Sequence, residues 1–147
     1  MNRKTLSEVH SIFIDTAPFI YFVEGHLEFG QRIKAIFDYF YNNNLPMYSS
    51  VITLTEVLSK PFRVDNQELV EQFIRLLKNR SNFILIDISR EIAIKAGELR
   101  GKYPFLKSMD ALQIAATIEN KVGIFLTNDL KLKQVKNIDI WTMEDIK

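Results

Sequence analysis

The chain has 147 residues and a net charge of +1, from 19 basic and 18 acidic side chains. Hydrophobic residues make up 47% and charged residues 25%, which excludes disordered and collagen-like chains, and the length suits one domain over residues 1–147 with a sizeable core. There is no cysteine and there are two histidines, His10 and His26, so disulfide frameworks, thiolate nucleophiles and zinc held by cysteines or three imidazoles are excluded.

Met1 to Asp15 carries charges at Arg3, Lys4 and Glu8 and has no apolar stretch of signal-peptide length. The longest uncharged apolar run, Ala17 to Val23, is far short of a membrane span, so a cytoplasmic protein is expected. Ser11 to Ile14 reads as a short buried strand ending at Asp15. Phe29 to Tyr41 has apolar residues at the helical period, and the run Asn42 to Pro46 stops it. Met47 to Val51 is predicted as the second strand. Thr53 to Ser59 is predicted as a short helix with Pro61 just past its end. Gln67 to Lys78 repeats the helical pattern, and Phe83 to Ile86 is the third strand. Ser89 caps a helix running to Arg100, and Ser108 caps another running to about Asn120. Val122 to Leu126 and Ile138 to Trp141 complete five strands. No repeat, linker or low-complexity segment interrupts the series.

Strands alternate with helices, and the strands lack in/out alternation. That pattern implies an α/β fold: a three-layer α/β/α sandwich around a central, mainly parallel sheet of about five strands. Right-handed crossovers place every carboxyl end on one edge, where such sheets bind ligands. Asp15 follows the first strand, Glu56 lies one turn into the helix after the second, and Asp129 follows the fourth. Asp110 begins a helix instead. That helix descends for about 12 residues, or ~18 Å, and the next strand climbs back by roughly the same distance. Asp110 and Asp129 are therefore expected to be neighbours at the same edge.

Read singly, each acid has an ordinary role: Asp15 or Asp129 as a cap, Asp110 at a helix dipole, Glu56 as a solvated helix residue. Read together, four carboxylates on one edge repel, at a cost on the order of several kcal/mol in a partly desolvated cleft. A divalent cation removes that cost. All-oxygen ligation suits Mg2+ or Mn2+. Such an ion activates a water and polarises a phosphoryl oxygen, which suits phosphodiester hydrolysis. Asp87 also ends a strand, but Ile88-Ser89 beside it reads as ordinary helix entry.

Four segments carry a resemblance. Ile12-Phe13-Ile14-Asp15-Thr16, Thr53-Leu54-Thr55-Glu56-Val57-Leu58, Ser108-Met109-Asp110-Ala111-Leu112-Gln113-Ile114-Ala115-Ala116 and Leu126-Thr127-Asn128-Asp129 occur in this order. The chain resembles the PIN-domain nucleases, and particularly the VapC-type toxins of prokaryotic toxin–antitoxin pairs, over nearly its whole length. The resemblance implies that Asp15, Glu56, Asp110 and Asp129 form the acidic metal site, with Thr16, Thr127 and Asn128 in support. It implies a Mg2+- or Mn2+-dependent endoribonuclease acting on RNA, a homodimer, and inhibition by a cognate antitoxin. Two places depart from the family's usual pattern: Pro18-Phe19 replaces a small aliphatic pair, and Gln113 stands where a histidine is frequent. Neither falls on one of the four acidic positions.

RNA needs cations near such a site. Lys60, Arg63, Arg100, Lys102, Lys107 and Lys131 are the candidates, with Lys133 and Lys136 beyond them. Each is also an ordinary solvated surface residue when read alone. Tyr103 and Phe105 stack bases or anchor their loop. Phe19, Tyr21 and Phe22 divide between core and a partner surface. His10 and His26 are expected to be surface residues with no catalytic role.

Competing aspartate chemistry fits less well. A haloacid-dehalogenase-like phosphatase needs a second aspartate where this chain has Ala17, and the paired acids and late lysine of a receiver domain are not evident. A PIN-like binding module without catalysis and a housekeeping RNA-processing nuclease stay open as alternatives. With the four acids set aside, 14 acidic residues face 19 basic ones, so the near-neutral average conceals an acidic pocket in a basic body.

Overall fold

The first strand explains the layering. β1 (Ile12–Ile14) has three apolar residues in succession, all fully buried. Ile12 and Ile14 belong to the core on one side of the sheet and Phe13 to the core on the other, because successive strand side chains alternate. A strand buried on both faces needs helices on both faces. The computed structural model describes residues 5–146; Arg3 and Lys4, which entered the reading of the amino-terminus, lie outside the described residues.

β1 joins β2 (Met47–Ser50), β3 (Phe83–Ile86), β4 (Ile124–Thr127) and β5 (Asp139–Thr142) in one parallel sheet, ordered β3-β2-β1-β4-β5. Phe13 is in register with Tyr48 on one side and Phe125 on the other. Four helices supply one layer: α1 (Thr16–Glu24), α2 (Phe29–Asn42), α3 (Val51–Arg63) and α4 (Gln67–Leu76). They bring Phe19, Ile36, Phe40, Val57 and Phe73 onto Ile12, Ile14 and Leu126. On the opposite face lie α5 (Arg90–Lys102) and α6 (Ser108–Glu119). There Phe13 and Phe125 stack with ring centroids 5.4 Å apart, in a core shared with Leu99, Ala111, Ile114 and Ala115. The architecture is the expected three-layer α/β/α sandwich. No helix among the described residues is long and apolar enough to cross a membrane.

Several boundaries differ from the sequence reading. The apolar run after Asp15 is a helix, α1, closed by Gly25 at φ 66°, a left-handed conformation that glycine adopts without a Cβ clash. α3 starts two residues early, because the Ser50 hydroxyl accepts from the Ile52 N–H at 3.1 Å, and it runs past Ser59 to Arg63. Pro61 lies inside it rather than beyond it. A proline removes its own donor and crowds the carbonyl four residues back, yet the last turn still closes through Val64 N–H to the Lys60 carbonyl. α4 ends at Leu76 instead of Lys78. Ser108 is the first residue of α6, and Lys107, with no side-chain cap bond, holds the cap position. β4 is shifted to Ile124–Thr127, so Thr127 belongs to the strand.

Candidate active site

Strand order reverses between β1 and β4: the chain leaves β1 toward β2 on one side and returns to pair β4 on the other. The crevice above this reversal is where parallel sheets accept ligands. Here it is a cleft of about 420 Å³ lined by Asp15, Thr16, Ala17, Ile20, Tyr21, Glu56, Asp110, Thr127, Asn128 and Asp129. All four acids singled out in the sequence line it, on four separate segments, and so do all three residues named in support.

Asp15 is both helix cap and cleft wall. Its Oδ1 accepts from the Thr16 N–H at 2.8 Å, which opens α1, and from Gln113 Nε2 at 3.4 Å. Its Oδ2 accepts from the Thr127 hydroxyl at 2.8 Å. The backbone pins it as well, since its N–H donates to the Leu126 carbonyl at 2.9 Å across to β4. Burial pushes the Asp15 carboxyl up to about 6; the bonds from Thr16 and Thr127 pull it down, and the charges of Asp110 and Glu56 push it up again. A capping role alone does not account for that environment.

Asp110 occupies the first turn of α6. Small residues bring that helix close to the sheet: Ala111, Ala115 and Ala116 are fully buried. Burial raises the Asp110 carboxyl, Asp129 and then Glu56 raise it further, and Lys107 lowers it. The Asp129 contribution bears out the expected proximity of two residues 19 positions apart in sequence. Asp129 is itself exposed and accepts from the Lys131 N–H at 3.0 Å. Glu56 is exposed on α3, and its Oε1 accepts from the Thr16 hydroxyl at 2.8 Å. Thr16 therefore ties Glu56 to the start of the helix that Asp15 caps. Asn128 Nδ2 donates to the Tyr21 hydroxyl on α1.

The donor set is all oxygen. As placed, no three acidic or histidine side chains among the described residues stand close enough to enclose an ion. What suits a hard divalent cation is the chemistry: four carboxylates around one cleft, two of them raised by burial and further by their like-charged neighbours.

None of the basic candidates lines the cleft wall. Lys107 is the one felt electrostatically by Asp110. Lys60, Arg63, Lys102 and Lys131 are exposed. Arg100 is engaged locally, its Nε donating to the Leu106 carbonyl at 3.2 Å. Tyr103 anchors its loop: its hydroxyl donates to Asn137 Oδ1 at 3.1 Å and accepts from the Lys136 N–H at 3.1 Å. Phe105 is partly exposed beside it. Phe19 is core, while Tyr21 and Phe22 are partly buried against the core. His10 and His26 are exposed, and His26 Nδ1 accepts from the Glu28 and Phe29 N–H groups at the start of α2. Asp87 is exposed and stands outside the cleft.

Sequence reasoning assigned no role to Ser49, Ser50, Thr53 or Gln113. All four are buried at the end of β2, on α3 and on α6. The available signal was a pair of serines where a core strand should be apolar, followed by a threonine one helical turn later.

The chain matches the family described as PIN domain over residues 12–138. No curated protein matches it significantly by sequence. Its fold is similar to that of VapBC2 from Rickettsia felis bound to a DNA fragment from their promoter, with a TM-score of 0.71, 19% identity, and 90% of this chain and 98% of that chain covered. It is also similar to a toxin–antitoxin complex from Klebsiella pneumoniae, with a TM-score of 0.69, 23% identity, and 92% and 99% covered. A third similar structure is a VapC toxin from Mycobacterium tuberculosis that cleaves the sarcin–ricin loop, with a TM-score of 0.60, 15% identity, and 78% and 86% covered. At these identities the likeness establishes the fold, and the family match spans most of the chain: the protein belongs to the PIN-domain family.

Proposed function

We propose that this protein is a divalent-metal-dependent endoribonuclease, the toxin of a type II toxin–antitoxin pair. The observation that carries the reading is the convergence of Asp15, Glu56, Asp110 and Asp129, from four segments, on one cleft at the strand-order reversal of a PIN domain. PIN nucleases generally use divalent metal ions, and Mg2+ or Mn2+ suits this oxygen donor set. Asp15, Glu56, Asp110 and Asp129 would hold the ion. When bound it supplies a water of lowered pKa and offsets charge on the phosphoryl group.

The remaining work falls to the chain itself. Thr16, Thr127 and Gln113 fix the Asp15 carboxylate, and Thr16 also steers Glu56. Lys107, next to Asp110, meets the approaching phosphate backbone, and Lys60, Arg63, Arg100, Lys102 and Lys131 extend the cationic surround. The toxin assignment draws support from similar structures captured as toxin–antitoxin complexes, which makes a cognate antitoxin the expected partner. A homodimer and a cytoplasmic site of action belong to the same reading.

The test is to map new 5′ ends across total cellular RNA after brief induction, with Asp15→Asn as the comparison. Discrete cleavage sites present with wild type and absent with the variant support the proposal. Identical end maps from the two proteins would leave a non-catalytic binding module.

A further inference from the structure

Beneath the acids lies a closed circuit of buried polar groups. Ser49, Ser50, Thr53, Gln113 and Thr127 are each no more than 1% exposed. A carbonyl can only accept, so the Ser49 hydroxyl donates to the Ile14 carbonyl at 2.8 Å. The Ser49 and Thr53 hydroxyls share a hydrogen bond at 2.9 Å, and Thr53 accepts from Gln113 Nε2 at 2.7 Å. The second proton of that amide goes to Asp15 Oδ1, and Gln113 Oε1 accepts from the Ser50 hydroxyl. The circuit starts at the Asp15 side chain and ends on the carbonyl of the residue before it. An ionised carboxylate can only accept, so the amide nitrogen faces Asp15 and the amide oxygen faces Ser50.

We propose that Gln113 is a positioning residue for divalent-ion binding: its amide, clamped by Ser50 and Thr53, holds the Asp15 carboxylate so that its free lone pair faces the cleft. An ionised carboxylate offers about four acceptor sites. Thr16, Gln113 and Thr127 occupy three of them. The last is left for a cation, in a direction that Gln113 helps to set. Partners of metal ligands typically change metal affinity by about 10–100-fold when removed. This proposal rests on the divalent-ion reading of the cleft and goes beyond it by naming a residue that carries no charge and lies outside the acid set.

The test is Mn2+ titration of the purified protein, with free Mn2+ followed by electron paramagnetic resonance. Gln113→Met keeps volume and removes both donors, and it is expected to weaken Mn2+ binding by about 10–100-fold. Gln113→His restores an N–H donor and is expected to recover most of that loss. Thr117→Val is the stability control: Thr117 is buried on the same helix and donates only to the Gln113 backbone carbonyl at 2.9 Å, so Mn2+ affinity should hold. Should Gln113→Met fail to fold, the wild-type Gln113 side-chain amide resonances provide the readout. They are expected to shift saturably with Mg2+, whereas those of exposed Gln31 stay fixed. Equal Mn2+ affinity in wild type and Gln113→Met, or an unmoved Gln113 amide while Mg2+ binds, overturns the positioning role alone. No Mn2+ binding by wild type overturns the metal reading and this proposal with it.

Discussion

Replacing Asp15 by asparagine is expected to stabilise the metal-free protein at alkaline pH while removing its activity. Asparagine keeps the shape. Its Oδ1 still accepts from the Thr16 N–H, and its Nδ2 donates to the Thr127 hydroxyl. What disappears is a charge that burial opposes and that Asp110 and Glu56 repel. The Asp15 carboxyl titrates at about 6 in the folded chain against 3.8 for a free aspartate, so between these values the folded state binds more protons than the unfolded one. Stability therefore falls as pH rises through that window and levels off above it. The gap corresponds to about 3 kcal/mol in all, with about 1.4 kcal/mol of it between pH 5 and pH 8. The assay is urea unfolding in chelator at pH 5, 6, 7 and 8 for both proteins. Wild type is expected to lose about 1.4 kcal/mol relative to the variant across that range. Adding Mg2+ at pH 8 should restore wild type and leave the variant unchanged. Parallel pH curves for the two proteins would refute the reasoning, because the buried charge would then cost nothing.

Thr127→Val removes the hydroxyl that donates to Asp15 Oδ2 and accepts from the Asp129 N–H at 3.2 Å. It should cost about 2 kcal/mol at pH 8, and less at pH 5 where Asp15 is protonated, by the same urea assay. Phe13→Ala empties a fully buried position stacked on Phe125 and is expected to cost about 3–5 kcal/mol, read as a lower urea midpoint with unchanged slope. Replacing Lys107 and Lys131 by alanine should weaken RNA binding and reduce the log–log salt slope by up to about 1.4, in filter binding with the Asp15→Asn background.

The legible part of the site is the part dictated by topology. Asp15 and Asp129 follow strands, so a parallel sheet sends them to one edge whatever the packing details. Asp110 is legible from the matched rise of helix and strand, and it lines the same cleft as Asp129. Gln113 escaped because its role depends on tertiary partners from α3 and β2, 60 and 63 positions away. Helix α1 is legible only as the helix that Asp15 could cap, with Pro18 in its first turn, because its apolar residues occur as one continuous run, Ala17 to Val23, which blurs helical periodicity. Pro61 reads in the sequence as a helix stop. Its position in the last turns of α3 meant that one lost donor did not end the helix.

The most direct test of the central claim is cleavage of a labelled, structured cellular RNA by purified protein in Mg2+ or Mn2+, set against the same reaction in chelator and against Asp110→Asn. Internal cuts that need the metal are expected, falling by at least about 100-fold in the variant, in line with losing transition-state charge stabilisation worth roughly 3 kcal/mol. Cleavage that persists undiminished in chelator, or in folded Asp110→Asn, would contradict it.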